Sequence, residues 1–181
     1  MHLTRRQIPL FLMVVSAMFL FATSLFAEEG EWKHTGTGTR VKTVVFVDVN
    51  VYKISHFMKQ VPEAKSKRAV IDADVDKKFQ WTMLRDVDHE KVVSTLREAF
   101  ALNGYSDSGK INKFVSAFSA ELKENAKVTI AYDAAKKATT VSVGGGGSAT
   151  VEGAEFMKAV WSIWLGKIDQ PKLGDALVSK L

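Results

Sequence analysis

Strand-like and helix-like hydrophobic periods come in separate blocks along this chain, and that ordering limits the fold more than any single motif. From Val41 to Tyr52 the pattern has period two. Val45, Val47, Val49 and Val51 face one way in a continuous strand, and Val44, Phe46, Asp48, Asn50 and Tyr52 the other. A second strand is expected over Ala69–Val75 and a third over Lys78–Leu84, where Phe79, Trp81 and Met83 share a face. Lys127–Tyr132 and Ala138–Val143 read as a hairpin around Asp133-Ala134-Ala135-Lys136-Lys137. The strands are rich in β-branched and aromatic residues, which suit a half-buried pleated surface.

Helical spacing occupies the intervals. Asp88 caps a helix with Val92, Leu96 and Phe100 on one face, and Asn103-Gly104 ends it. Ser108 is expected to cap the next, with Ile111, Phe114, Val115, Phe118 and Leu122 at helical spacing. A third helix spans Ala154 to Leu165 and stops at Gly166, and Gln170-Pro171 opens a short last one carrying Leu173 and Leu177. Gly144 to Gly147 follows a strand, yet no Lys-Ser or Lys-Thr pair comes after it, so it is a flexible turn and not a phosphate loop. Strands and helices in separate runs point to an α+β fold, an antiparallel sheet with a helical layer on one side.

The N-terminus bears on compartment. Arg5 and Arg6 form a basic start, no charge follows until Glu28, and Leu10–Phe21 is an apolar core running to Ala27. This is the layout of a secretory signal peptide cleaved after Ala27, giving residues 1–27 as signal and 28–181 as one domain. Periplasmic localisation is the expectation. The rival is an uncleaved N-terminal membrane anchor, because the uncharged run is long enough to span a bilayer, and membrane contact is expected only in that case. With no cysteine, lipid acylation at cysteine, disulfides and thiolate metal sites are excluded. The formal charge of +5 falls to +3 once Arg5 and Arg6 leave, and the remaining bases are spread in pairs such as Lys77-Lys78 and Lys136-Lys137. They read as solvated turns and strand ends, and no nucleic-acid partner is expected.

Candidate chemistry is sparse. His34, His56 and His89 stand at no close metal-ligand spacing, and no serine sits in a nucleophile elbow. His89 sits beside Asp88 at a helix start, and Asp86 and Asp88 look like capping carboxylates. No metal and no cofactor is expected. One polar pair stands out. Arg40 and Tyr52 are an even number of residues apart, so an unbroken strand would place them on one face with Phe46 between them. A guanidinium on a covered face must be paired with an acid of the domain, reach water, or be held for an anionic ligand.

Three separated strings carry a family resemblance: Gly36-Thr37-Gly38-Thr39-Arg40, Trp81-Thr82-Met83-Leu84-Arg85-Asp86-Val87-Asp88, and Phe156 to Gly166 ending Ile163-Trp164-Leu165-Gly166. In that order and spacing they resemble the chalcone isomerase-like domain, in particular its bacterial exported branch, over Glu31 to Leu181. The resemblance implies an open-faced β-sandwich, a large antiparallel sheet covered by helices with a cleft between the layers. It also implies that Arg40 falls on the arginine with which plant isomerases polarise the substrate ketone. Tyr52 falls where those isomerases have a threonine, and where the fatty-acid-binding branch has a tyrosine that holds the lipid carboxylate with the arginine. The isomerase tyrosine and asparagine near the first helix correspond to about Asp88 and Thr95, which removes most of the set that orients a flavanone.

Three functions follow. The first is a non-catalytic carrier of a fatty acid or similar amphipathic carboxylate, with Arg40 and Tyr52 on the carboxylate and Phe46 and Trp81 lining the tail cleft. The second is a chalcone isomerase-type lyase using Arg40 as electrophile. The third is a structural or interaction module of the cell envelope.

Overall fold

The computed structural model describes residues 30–181; the expected signal segment 1–27 lies outside the described residues. Six strands form one antiparallel sheet in sequence order: β1 (Lys33–Val44), β2 (Val47–Met58), β3 (Lys77–Met83), β4 (Lys127–Asp133), β5 (Ala138–Val143) and β6 (Ser148–Glu152). Between and after them lie α1 (Lys67–Asp72), α2 (His89–Leu102), α3 (Ser108–Val115), α4 (Ala154–Leu165) and α5 (Pro171–Leu177). One face of the sheet carries Ile54, Met58, Phe79, Trp81, Met83, Val128, Ile130 and Val141, all buried. The other carries Lys53, Ser55, Gln80, Thr82, Thr129, Thr140 and Ser142 and stays open to solvent at its centre. This is the expected α+β architecture, a sheet covered on one side.

Helix α4 is the keystone of the covered side. Eight of its residues, among them Phe156, Val160, Trp161 and Trp164, are buried. A helix apolar on this much of its circumference must be enclosed by other elements. Helix α5 then packs on β1, and the glycines of the Gly36-Thr37-Gly38 string make that approach possible. A Cβ on Gly36 would stand 2.1 Å from the Ala176 carbonyl oxygen, and one on Gly38 would stand 2.6 Å from Leu173 Cδ1.

Several sequence expectations are corrected. The segment Val41–Tyr52 is not one strand but a hairpin, turning at Val45-Phe46 between β1 and β2. Both turn residues have positive φ, 47° and 65°, a conformation that usually selects Asn-Gly. The expected strand Ala69–Val75 is instead the short helix α1. Ser66 caps its start by accepting from the Ala69 N–H at 3.1 Å, and the buried Lys77 ammonium closes its end. Lys77 Nζ donates to the carbonyls of Val70 (2.7 Å), Ile71 (3.1 Å) and Ala73 (2.7 Å) and lies 4.9 Å from the Trp161 ring centroid. Burial pulls its pKa down to about 7, against the favourable charges of Asp74 and Asp72. Helix α3 stops at Val115, and Asp107 rather than Ser108 caps it. Phe118 and Leu122 are buried in irregular chain beyond its end.

Candidate functional site

Arg40 and Tyr52 do meet on the covered face, by a different route from the one expected. They are opposite partners across the β1–β2 pair, next to a bulge that leaves Val51 without a partner. A bulge of this kind bends the strand and re-aims its neighbours. Arg40 is 9 % exposed, and its guanidinium forks onto Asp169: Nη1 to Oδ1 at 2.6 Å and Nη2 to Oδ2 at 2.9 Å. Nη1 also donates to Gln170 Oε1 at 3.4 Å, and Gln170 bonds the β1 backbone at Val41 N–H and Thr39 C=O. Burial works against the Arg40 charge, but the Asp169 hydrogen bond and the surrounding charges outweigh it and raise its pKa. The same hydrogen bond holds the Asp169 carboxyl below its ordinary range.

Tyr52 accepts a hydrogen bond from Trp164 Nε1 at 3.0 Å and stacks on Trp81, with centroids 4.8 Å apart and planes 11° apart. Burial pushes its phenol pKa up, so it is a neutral donor at physiological pH. The Trp81 indole N–H is buried and has no hydrogen-bond partner among the described residues.

These three side chains border a cavity of about 790 Å³ between β1–β3 and α2. Its apolar wall comes from Val49, Val51, Met83, Val92, Leu96 and Leu122, and its rim carries Lys42, Arg85, Asp86, Asp88, Lys91 and Glu98. The Trp81–Asp88 string builds one side. Asp88 caps α2, accepting from the Glu90 N–H at 2.9 Å. Asp86 accepts from the Glu124 N–H at 2.8 Å, and Val87 bridges to Leu122. Both aspartates are thus tied to the backbone in the manner expected of capping carboxylates.

Of the four residues expected to contact a ligand, Arg40, Tyr52 and Trp81 border the cavity. Phe46 does not. It stands at the hairpin tip, 99 % exposed, because the chain turns there. Asp88 and Thr95, where an isomerase would carry tyrosine and asparagine, both line the cavity. Sequence reading missed Asp169, Gln170 and Trp164, which come to Arg40 and Tyr52 from more than a hundred residues away.

A second polar cluster lies further along β2. His56 is fully buried. Its Nε2 accepts from Trp161 Nε1 at 2.9 Å, and its Nδ1 lies 2.6 Å from Thr35 Oγ1, which donates to the Leu177 carbonyl at 2.9 Å. An indole nitrogen only donates, so the imidazole is neutral with its proton on Nδ1. Burial, then the charges of Lys77 and His34, lower its pKa to about 3. Among the described residues no group of three or more acidic or histidine side chains is placed to hold a metal, and no helix is long and apolar enough to cross a membrane.

Comparison with known proteins returns one family. A family model described as chalcone isomerase-like matches residues 19–177. A crystal structure of a fatty-acid binding protein from Arabidopsis thaliana superposes with a TM-score of 0.65 at 14 % identity, covering 81 % of this chain and 86 % of that one. A search of curated proteins finds no match.

Proposed function

This chain belongs to the chalcone isomerase-like family, and from that premise we propose that it is a non-catalytic binder of a fatty acid or similar amphipathic carboxylate. The observation that carries the reading is the cavity itself, apolar along its wall and bordered by Arg40, Tyr52 and Trp81. Its volume of about 790 Å³ is in the range of small-ligand sites. The apolar wall suits an alkyl chain. The Tyr52 hydroxyl spends its acceptor on Trp164 and keeps its proton for a carboxylate. The Trp81 ring, stacked on Tyr52, adds a flat apolar surface to the wall. The similarity to a fatty-acid binding protein points the same way.

In this reading Asp169 occupies the Arg40 fork much as a ligand carboxylate would. A fatty acid therefore competes with Asp169 for the guanidinium. The same fork favours a second reading, in which Arg40 is a structural latch holding the α4–α5 connection to β1 and the cavity is unfilled core. Native mass spectrometry of protein purified without detergent separates the two. A co-purifying long-chain carboxylate supports the binder, and bare protein that also fails to take up added fatty acid supports the latch.

Export belongs to the same proposal. The basic-apolar-small layout of residues 1–27 supports cleavage after Ala27 and a periplasmic mature protein. N-terminal sequencing of the isolated protein should begin at or near Glu28, and an intact Met1 on membrane-bound protein would replace this with the anchor.

A further inference from the structure

The charges at the Arg40–Tyr52 corner of the cavity decide which headgroups it can take. Arg40 borders the cavity, but its partner Asp169 does not; that carboxylate reaches the guanidinium from the α4–α5 connection and is 60 % exposed. The two hydrogen bonds of the fork, 2.6 and 2.9 Å, neutralise Arg40 before any ligand arrives. Gln170 keeps the acid in place, because its side chain bonds the β1 backbone twice. Its Oε1 accepts from the Val41 N–H and its Nε2 donates to the Thr39 carbonyl, both at 3.0 Å. The other polar group at this corner is the Tyr52 hydroxyl, which accepts from Trp164 Nε1 and donates to no group among the described residues. With Asp169 in place, the cavity thus offers one neutral donor beside a compensated ion pair.

That arrangement treats two kinds of headgroup differently. A hydroxyl or carbonyl oxygen on an alkyl chain accepts from Tyr52 and leaves the charge of the site unchanged. A carboxylate brought to Arg40 with Asp169 still bound would set two anions against one buried cation, and the second would go uncompensated. It binds at the fork only by turning Asp169 out to solvent, which the exposure of that side chain permits. We propose that Asp169 sets the headgroup selectivity of the cavity. Long-chain alcohols and other neutral, oxygen-headed amphipaths are taken at Tyr52 with the Arg40–Asp169 pair intact, and a fatty acid binds only in exchange for Asp169. This second ligand class rests on the cavity being a ligand site, as proposed above, and extends what that site accepts.

A merely structural Asp169 would behave otherwise. If it only fixed the α4–α5 connection to β1, its loss would loosen the cavity wall and weaken acid and alcohol alike. A competitor for the fork acts on the anion. The ratio of acid to alcohol affinity therefore separates the two roles, and a small loss of stability does not move it.

Calorimetric titration of the isolated protein with dodecanoic acid and with dodecanol, which share one tail, tests the proposal at neutral pH. The parent should bind both. Tyr52→Phe should weaken dodecanol by about fivefold, the value of one neutral hydrogen bond. Asp169→Asn should raise the acid-to-alcohol affinity ratio by up to about fivefold. A parent that binds the acid but not dodecanol would overturn the proposal and leave the carboxylate reading standing. An unchanged ratio in Asp169→Asn, or equal losses for both ligands, would overturn it as well. Binding of dodecanol without the acid would uphold the neutral class and end the carboxylate reading, and binding of neither would end both.

Discussion

Two indoles of α4, one turn apart, each donate to a side chain of β2, and the two contacts behave differently. Trp161 reaches His56 at 2.9 Å and Trp164 reaches Tyr52 at 3.0 Å. Each site lies beside a register shift in β1–β2, one between His34 and Gly36 and one between Arg40 and Val41. At the first, the groups around His56 are closed off: Thr35 bonds His56 and the Leu177 carbonyl, and Lys77 is consumed by three carbonyls of α1. The Thr139 hydroxyl, two strands from Lys77, is buried without a partner among the described residues and does not border the cavity. At the second, Tyr52 keeps a proton, the Trp81 N–H has no partner among the described residues, and Arg40 is held by a carboxylate that is 60 % exposed. The same helix-to-strand device thus closes the core at one end and frames a cavity at the other. Polar groups that are all satisfied hold structure, whereas partly satisfied ones beside a cavity are available to a ligand.

The largest effect should come from the sealed end. Lys77→Met keeps the apolar stem but leaves three α1 carbonyls without their donor, at about 1–3 kcal/mol for each that stays buried and unpaired. Urea unfolding should show a loss of more than about 3 kcal/mol, with fatty-acid affinity per folded molecule unchanged. A loss within experimental scatter would mean that α1 does not depend on Lys77.

Next in size is an acid-dependent loss from His56. Above pH 6.5 it is neutral both folded and unfolded. Between 6.5 and about 3 the unfolded chain binds a proton that the folded protein refuses, so stability falls as pH falls through that window. Carboxylates such as Asp169, depressed from an ordinary value of 3.8, add their loss only lower down. Melts at pH 6.0, 5.5 and 5.0, below the range in which Lys77 with its pKa of about 7 titrates, should therefore decline, and the paired replacement His56→Phe with Trp161→Phe should flatten that decline.

The two ends also differ in how far the sequence disclosed them. Trp81, Met83 and the Asp88 cap were legible because periodicity and capping are local. The same holds for α4, whose bounds at Ala154 and Leu165 match the helical pattern. Arg40 and Tyr52 were rightly placed on one face, but through an unbroken strand that does not exist. Val45-Phe46 carries no turn signal, so the hairpin was invisible and Phe46 was misplaced. Helix α1 was read as a strand because Val70 and Ile71 favour one, while its support comes from Lys77 six and seven residues away. Strand β6 went unread as a short run after the Gly144–Gly147 turn. Asp169, which decides how free Arg40 is, could be found only through the tertiary fold, 129 residues along the chain.

The smallest expected effect sharpens the open end. Asp169→Asn removes the competing charge from Arg40, and because Asp169 is largely exposed the gain is modest. Carboxylate affinity should rise by at most about fivefold, with a slight drop in melting temperature. Weaker binding instead would mean that Asp169 positions the guanidinium for the ligand.

The central claim, that Arg40 and Tyr52 hold a carboxylate in the cavity, is tested most directly by titrating one long-chain fatty acid against parent, Arg40→Ala, Arg40→Lys and Tyr52→Phe. A charge-assisted hydrogen bond is worth about 1.5–3 kcal/mol, so Arg40→Ala should weaken binding by about one to two orders of magnitude. Arg40→Lys should recover part of the loss, since a point charge cannot reproduce the planar fork. Tyr52→Phe should cost less, because it removes one neutral donor and leaves the stack on Trp81 in place. No saturable binding by the parent, or equal binding by parent and Arg40→Ala, would contradict the account.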